Sequence, residues 1–363
     1  MSVLFGIARA DAPAAVREAK LYGGQAVIEG VLMKSARRAV VSVRESIPYV
    51  KDEKGKWIDP SRDWAPEQLA AHEEQRKIVS EELWQVEGVP KKSWKQLPFI
   101  RGAFVLFESL SLGTKALEFS AKVAGQGMDE EPEPTIWSKI LSYGLSIGFA
   151  VLLFHVLPNF IAESAGNALH LPAKDAAHLN PFEPAAMTKN VIDGVVRILF
   201  FALYILVIRS LFKEIYRVFQ YHGAEHKTVN AYEAAVPLTV ESVQKMPTFH
   251  RRCGTSFVFL VGMVSILMHV VTGWHPDWWF RIGRNLLLLL PVASVSYELL
   301  RLTAAYPKAT WSNLVSLPGI GFQKITALEP SDRMVEVAID AFRQVMDDAD
   351  VVQAQPQLAM AAE

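Results

Sequence analysis

CGTSFVFLVGMVSILMHVVTGWHP, residues 253–276, lies between Arg252 and Asp277 and holds 24 positions without Asp, Glu, Lys or Arg. A helix needs about 20 apolar residues to cross a bilayer core, so this stretch reads as a membrane span. Outward from it, residues 140–162, between Lys139 and Glu163, give 23 more charge-free positions. Val191–Phe212 is apolar apart from Asp193, Arg197 and Arg209. Ile282–Leu300 carries five consecutive leucines at 286–290, with Arg284 and Glu298 near its ends. Two uninterrupted runs of bilayer length argue against buried helices of a large soluble protein. The expected fold class is an α-helical integral membrane protein with about four transmembrane helices.

The composition agrees. Of 363 residues, 51% are hydrophobic, and the mean hydropathy is +0.17. Lys and Arg total 37 against 38 Asp and Glu. That balance excludes a globally basic nucleic-acid binder and an acidic disordered chain. The single cysteine excludes a disulfide framework and a Cys-rich zinc module. Residues 1–20 form an extension without a signal-peptide core, so no cleaved signal is expected. Segment 213–252 carries six Lys or Arg, against two in 158–190. By the positive-inside rule, 213–252 and both termini are cytoplasmic. The lipid bilayer is the first partner, and no nucleic acid is expected.

Residues 21–98 read as a small β-containing cytoplasmic domain, because QAVIE (25–29), AVVSVR (39–44) and IVSEELW (78–84) are β-branched or alternating. Residues 99–135 hold an amphipathic helix and a linker. In that helix Arg101, Glu108, Lys115 and Lys122 recur every seven positions as one polar stripe. It fits the inner leaflet or a face of the spans. Residues 136–212 carry the first two spans, 213–254 a cytoplasmic loop rich in His, Glu and Cys, and 255–303 the last two spans. A cytoplasmic C-terminal segment, 304–350, and a disordered tail, 351–363, complete the chain. Within 304–350, LPGIGF (317–322) reads as a turn-rich connection. Ser331 reads as an N-cap, followed by an apolar stripe of Val335, Ile339, Phe342 and Met346. Asp193 with Arg197, and Glu298 with Arg301, are spaced to pair on one helix face.

The chemistry concentrates in YHGAEHKTVNAYE, residues 221–233. His222 and His226 are four apart, so a helix projects both imidazoles from one face, with Glu225 beside them. This is the His-x-x-Glu-His order in which two histidines bind zinc and the glutamate activates water. Glu233 falls three turns on, and His250-Arg-Arg-Cys253 supplies a second pair of donor side chains. The candidate metal ligands are His222, His226, His250 and Cys253, with Glu225 as general base and a divalent ion, zinc by preference, as cofactor. Four protein ligands close a tetrahedral structural site, whereas three leave a position for water. Ordinary interfacial hydrogen bonding by the histidines and packing of a buried Cys253 is the competing interpretation.

GGQAVIEGVLM (23–33), FIRG (99–102), YHGAEHK (221–227), HRRCGTSF (250–257), SYE (296–298) with Arg301, and PG…FQKITALEP (318–330) together resemble the YqhQ-like family of bacterial membrane proteins. The resemblance runs from about residue 21 to 330. It implies a bacterial inner-membrane location and the family's label of metal-dependent enzyme, without a substrate. Where that family usually has Pro, this chain has Arg251. The same blocks single out Glu29, Arg101, Glu108, Glu298 and Arg301 as polar-site candidates, either lining a cavity or fixing the cytoplasmic domain to the helices. The expected function is metal-assisted hydrolysis of a membrane-associated substrate at the cytoplasmic face. The alternative is a non-enzymatic transporter, channel or scaffold, which four spans support only as a homo-oligomer.

Overall fold

The computed structural model describes residues 22–35, 37–45, 50–51, 57–58, 76–85, 97–124, 135–157, 160–161, 164, 184–251, 253–272, 278–306 and 308–346. The extension 1–20, the linker 129–134 and the tail 351–363 lie outside them.

Four antiparallel strands, β1 (Gly23–Val27), β2 (Gly30–Lys34), β3 (Arg38–Arg44) and β6 (Ile78–Gln85), form a sheet in the order β1-β2-β3-β6. The short β4 (Val50–Lys51) and β5 (Trp57–Ile58) pair separately. Side chains alternate across a strand, and here both faces are covered. Val27, Leu32, Ala39, Val41 and Val43 pack under Leu112, Ala116 and Val123 of helix α1 (Arg101–Ala124). Val31, Met33 and Val40 pack against two helices on the other face, α4 (Lys213–Glu233) and α9 (Asp332–Val345). The expected stripe Val335, Ile339, Phe342 and Met346 is buried there. Ser331 is the N-cap position of α9, although its side chain makes no capping bond. Phe342 lies 4.8 Å from the Tyr22 ring and 5.1 Å from the Tyr232 ring, centroid to centroid. The polar stripe of α1 is divided: Arg101 is buried, Glu108 bonds Lys34 Nζ at 2.9 Å, and Lys115 and Lys122 are exposed. The second half of α1 therefore covers the sheet, a packing partner that the sequence reading did not name.

Among the described residues three helices are long and apolar enough to cross a membrane: Val191–Leu211 within α3 (Pro184–Leu211), α6 (Gly254–Thr272), and Gly283–Thr303 within α7 (Trp278–Ala305). Four were expected. Residues 136–151 do form a helix, α2 (Ile136–Val151), running into a π-helical turn at Leu152–Val156. The α-helical part alone has 16 residues, and the π-helical turn carries the helical path on without a break to Leu157. All three candidate spans point leucines outward: Leu199, Leu203, Leu267, Leu286 and Leu287 are exposed. That surface suits lipid rather than water.

Two carboxylates of the candidate spans, Asp193 and Glu298, pair with arginines. Arg197 donates to both Asp193 oxygens, at 2.9 and 3.1 Å, as its spacing predicts. Glu298 takes a partner from another helix. Its carboxylate accepts both Nε (2.7 Å) and an Nη of Arg101, and also the Phe99 backbone N–H. The start of α1 thus clamps onto α7, where a guanidinium fork meets both carboxylate oxygens at once. Breaking a buried pair by removing one partner costs about 3–5 kcal/mol. Arg101→Ala is expected to lose that much in thermal unfolding of the detergent-solubilised chain. Adding Glu298→Gln to it should restore part of the loss, because no uncompensated charge is then left.

Glu29 joins the sheet to α4. It sits in the β1–β2 turn at φ 51°, a left-handed conformation that a non-glycine residue rarely adopts. Its carboxylate accepts from Arg217, from Arg76 at 3.2 Å, and from the Tyr221 hydroxyl at 3.3 Å. Burial alone would raise the Glu29 pKa, but Arg217 and Arg76 together hold it below the usual carboxylate range. A depressed folded-state pKa gives stability that is present above the unfolded value and lost as pH falls through the folded one. Glu29→Gln is therefore expected to flatten the acid limb of the stability–pH curve while lowering stability near neutrality.

Candidate metal centre

Segment 213–254, expected as a loop, is mostly helical. α4 fills Lys213–Glu233, a short helix, α5, spans Val240–Gln244, and a turn leads to Cys253 at the head of α6. The helix places His222 and His226 one turn apart on one face, with ring centroids 4.3 Å apart. His222, His226 and Cys253 are all buried, and one donor atom from each lies within 4.8 Å of the other two. The His222 Nε2 to Cys253 Sγ distance is 3.0 Å.

Each imidazole is oriented from behind. His222 Nδ1 lies 2.6 Å from the Thr326 carbonyl, and His226 Nδ1 lies 2.5 Å from the Thr248 carbonyl. A carbonyl can only accept, so each Nδ1 carries the proton and each Nε2 keeps its lone pair. His226 Nε2 is buried without a hydrogen-bond partner of acceptable geometry. An orphaned acceptor is costly in a protein interior. It is also the arrangement by which a histidine is held ready for a metal, with its second nitrogen fixed by a backbone carbonyl. Burial pushes the His226 imidazole below its ordinary range, a protonated His222 would push it the same way, and these outweigh the raising effect of Cys253. A neutral imidazole is the form that ligates.

The supports converge on two short segments. Residues 326–330 are tied to α4: Leu328 N–H donates to the Phe219 carbonyl (2.9 Å), Gln220 to the Glu329 carbonyl (3.0 Å), and Lys227 Nζ to Glu329 and to the Gln244 carbonyl. Gly223 lets this segment approach, because a Cβ there would run into the Leu328 carbonyl. The turn before Cys253 is held by Gln323, a wholly buried side chain. Its Oε1 accepts the His250 N–H (2.8 Å), and its Nε2 donates to the His250 carbonyl (2.8 Å) and to Ser256 Oγ (2.7 Å). Thr326, Thr248, Gln323, Gly223, Lys227 and Glu329 had no role in the sequence reading. Only Gln323, Thr326, Gly223, Lys227 and Glu329 fall in motif blocks that could have flagged them.

The other candidates sort by distance. His250 is not in the group. Its ring is 5.9 Å from that of His226, and its Nε2 lies 3.6 Å from Glu233. The grip of Gln323 on its backbone sets that position. Three of the four candidate donors form the close group, where the sequence left three or four ligands open. Glu225 is buried on the adjacent face, where it accepts the Gly24 backbone N–H and lies in the electrostatic reach of His222 and His250. Burial raises its pKa above the usual carboxylate value against these opposing influences. Glu29 and Glu298 are engaged by arginines, and Glu108 by Lys34. Arg301 stands one turn beyond Glu298 on α7. Glu29, Glu108 and Glu298 with Arg101 join parts of the molecule, and none of the five, Arg301 included, belongs to the group.

The donor set fits a divalent ion: two imidazoles and a thiolate suit zinc, and three ligands leave one tetrahedral position open. Comparison with known proteins agrees on the family. A family described as "Protein of unknown function (DUF1385)" matches residues 97–348, and so takes in α9, beyond the block resemblance that ended at 330. The chain is 30% identical over 326 residues to "Uncharacterized protein YqhQ" of Bacillus subtilis (strain 168), covering 90% of this chain and 92% of that protein. No solved structure matches. With a family match over more than two thirds of its length and a relative aligned nearly end to end, the chain belongs to the DUF1385 family of proteins of unknown function.

Proposed function

We propose that this chain is a metal-dependent hydrolase of a bacterial inner membrane, with its site at the cytoplasmic face. The observation that carries this reading is the lone pair on His226 Nε2: buried, unpartnered, and within reach of Cys253 while Nδ1 is locked to Thr248. His222, His226 and Cys253 would hold the ion. When bound, zinc supplies Lewis acidity and makes water a nucleophile near neutral pH. Thr326 and Thr248 keep the two imidazoles in the ligating tautomer. Glu225, on the same turn as His226, takes the proton from attacking water and returns it to the leaving group. The low-dielectric surroundings that raise its pKa suit a group that must hold a proton and release it.

The detergent-purified full-length chain is expected to carry about one divalent ion. His226→Ala and Cys253→Ala should each weaken binding by well over the roughly 100-fold typical of an outer-sphere change. Glu225→Gln should keep the ion and lose about 10²–10⁴ in rate. Its products are read by mass spectrometry, with wild type and Glu225→Gln incubated side by side in nanodiscs with a membrane extract. Metal bound with no Glu225-dependent product would leave a structural site and end the catalytic reading.

One contact supports a second reading. Cys253 Sγ lies 3.0 Å from His222 Nε2 and accepts the Thr255 N–H (3.3 Å) at the head of α6. A cysteine at a helix N-terminus beside a histidine is an activated nucleophile in other settings. Fast alkylation of Cys253 that added zinc does not slow would favour it over the metal site.

A further inference from the structure

LPGIGF lies inside a helix, α8 (Thr310–Thr326), and not in a turn. That helix is built inside out. Its inward positions are small or polar: Ser312, Gly319, Gln323 and Thr326, joined by Phe322. Its outward positions Trp311, Leu314 and Leu317 are apolar and exposed, at 43%, 68% and 58%. The outward row follows the helical repeat and continues through Gly321 to Lys324, which is exposed.

Contacts fix how α8 lies. α6 and α7 are successive antiparallel helices, and near their closed end His269 Nε2 meets Asn285 Oδ1 at 2.6 Å. Residues 254 and 305 therefore mark the opposite, open end. α8 starts there, with Ser312 Oγ donating to the Thr303 carbonyl at 2.8 Å. It also ends there, with Gly319 against Ser256 and the Thr326 carbonyl on His222. The approach at Gly319 is close enough that a Cβ would sit 2.9 Å from Ser256 Oγ. Both ends of α8 thus lie on one side of the membrane, and the helix runs along that face instead of crossing it.

We propose that α8 is an interfacial helix whose Trp311–Leu314–Leu317 face is seated in the leaflet on the candidate metal-site side, with anionic lipid headgroups at Lys308 and Lys324. Three observations favour lipid as the occupant. The row continues the exposed apolar surface of α7 through Leu302 and Tyr306. Tyr306 and Trp311 pair at 6.2 Å, at the level where aromatic residues border a bilayer. Exposed lysines flank the row at both ends, as on a helix lying on an anionic surface. On the candidate metal-centre reading the placement has a consequence. The inward face of α8 carries the Thr326 carbonyl that orients His222 and the Gln323 amide that holds the turn before Cys253. Lipid on the outer face then stiffens the metal site from behind.

Spin labels on Leu314→Cys and Leu317→Cys, in the full chain in nanodiscs, test the placement without reference to metal. Wild type treated in parallel corrects for any labelling of buried Cys253. Leu267→Cys serves as a reference inside a span, and Lys245→Cys as a reference in water. Both α8 labels should relax with dissolved oxygen as Leu267→Cys does and resist a water-soluble nickel chelate. Nickel accessibility matching Lys245→Cys would overturn the proposal, as would dipolar coupling between α8 labels of two copies, which would assign the face to self-association. The coupling to the site is read as zinc loss to a chelator. Loss should slow roughly fivefold when phosphatidylglycerol is added to zwitterionic nanodiscs, and the effect should vanish in Lys308→Gln/Lys324→Gln. An equal rate in both lipids overturns the coupling while leaving the depth result standing. A chain that binds no zinc ends the underlying metal reading, not the placement of α8.

Discussion

Gly223→Ala is expected to cost about 3 kcal/mol or more and to leave little folded chain in the membrane. A Cβ at 223 would meet the carbonyl oxygen of Leu328, a backbone atom that no rotamer change can move aside. Overpacking a tight core usually costs about 1–3 kcal/mol, and this clash falls at the upper end. Segment 326–330 is fixed at Leu328, Glu329 and Pro330 by bonds to Phe219, Gln220, Lys227 and Gln244. Relief must therefore shift the whole segment and, with it, the Thr326 carbonyl behind His222. The matched control is Gly321→Ala, where nothing lies within 4 Å of the added Cβ. It should be neutral or stabilising by up to about 1 kcal/mol, because alanine is the better helix former. Thermal unfolding and membrane abundance of the two variants check this directly. Equal stability would mean that α4 and 326–330 do not meet as described.

The second large effect is that of metal on stability. An ion bound only by the folded chain stabilises it by mass action, by about 4 kcal/mol at a thousandfold excess over Kd. Stripping the chain with a strong chelator is therefore expected to lower Tm by several degrees, fully reversed by zinc. His226→Ala should start at the stripped Tm and show no response to either treatment. Any departure from the stripped Tm sets the unsatisfied Nε2 atom removed against the Thr248 carbonyl left without its donor. The sign of the residual distinguishes the two contributions.

What the sequence made legible follows the physics of each feature. The i, i+4 spacing of His222 and His226 reads directly as one helix face, and β-branched alternation marked β1, β3 and β6. Cys253 was legible as a donor through the His250–Cys253 block, but its neighbour His250 was not sortable. Whether a loop histidine ligates depends on its backbone path, here held by a glutamine 73 residues away. The Thr326 and Thr248 carbonyls left no trace, because any residue type offers the same acceptor. α8 was misread because Pro318, Gly319 and Gly321 are turn signals in isolation. Packing against α6 overrides them, and Gly319 is needed there for contact. The pairing of Glu298 with Arg101 joins residues 197 apart, beyond any spacing rule.

The most direct test of the metal centre is X-ray absorption of the zinc-loaded chain. Expected are two imidazole nitrogens at about 2.0–2.1 Å and one sulfur at about 2.3 Å, the sulfur shell disappearing in Cys253→Ala. A spectrum with only oxygen and nitrogen neighbours in the wild-type chain, unchanged by Cys253→Ala, would contradict the site built from His222, His226 and Cys253.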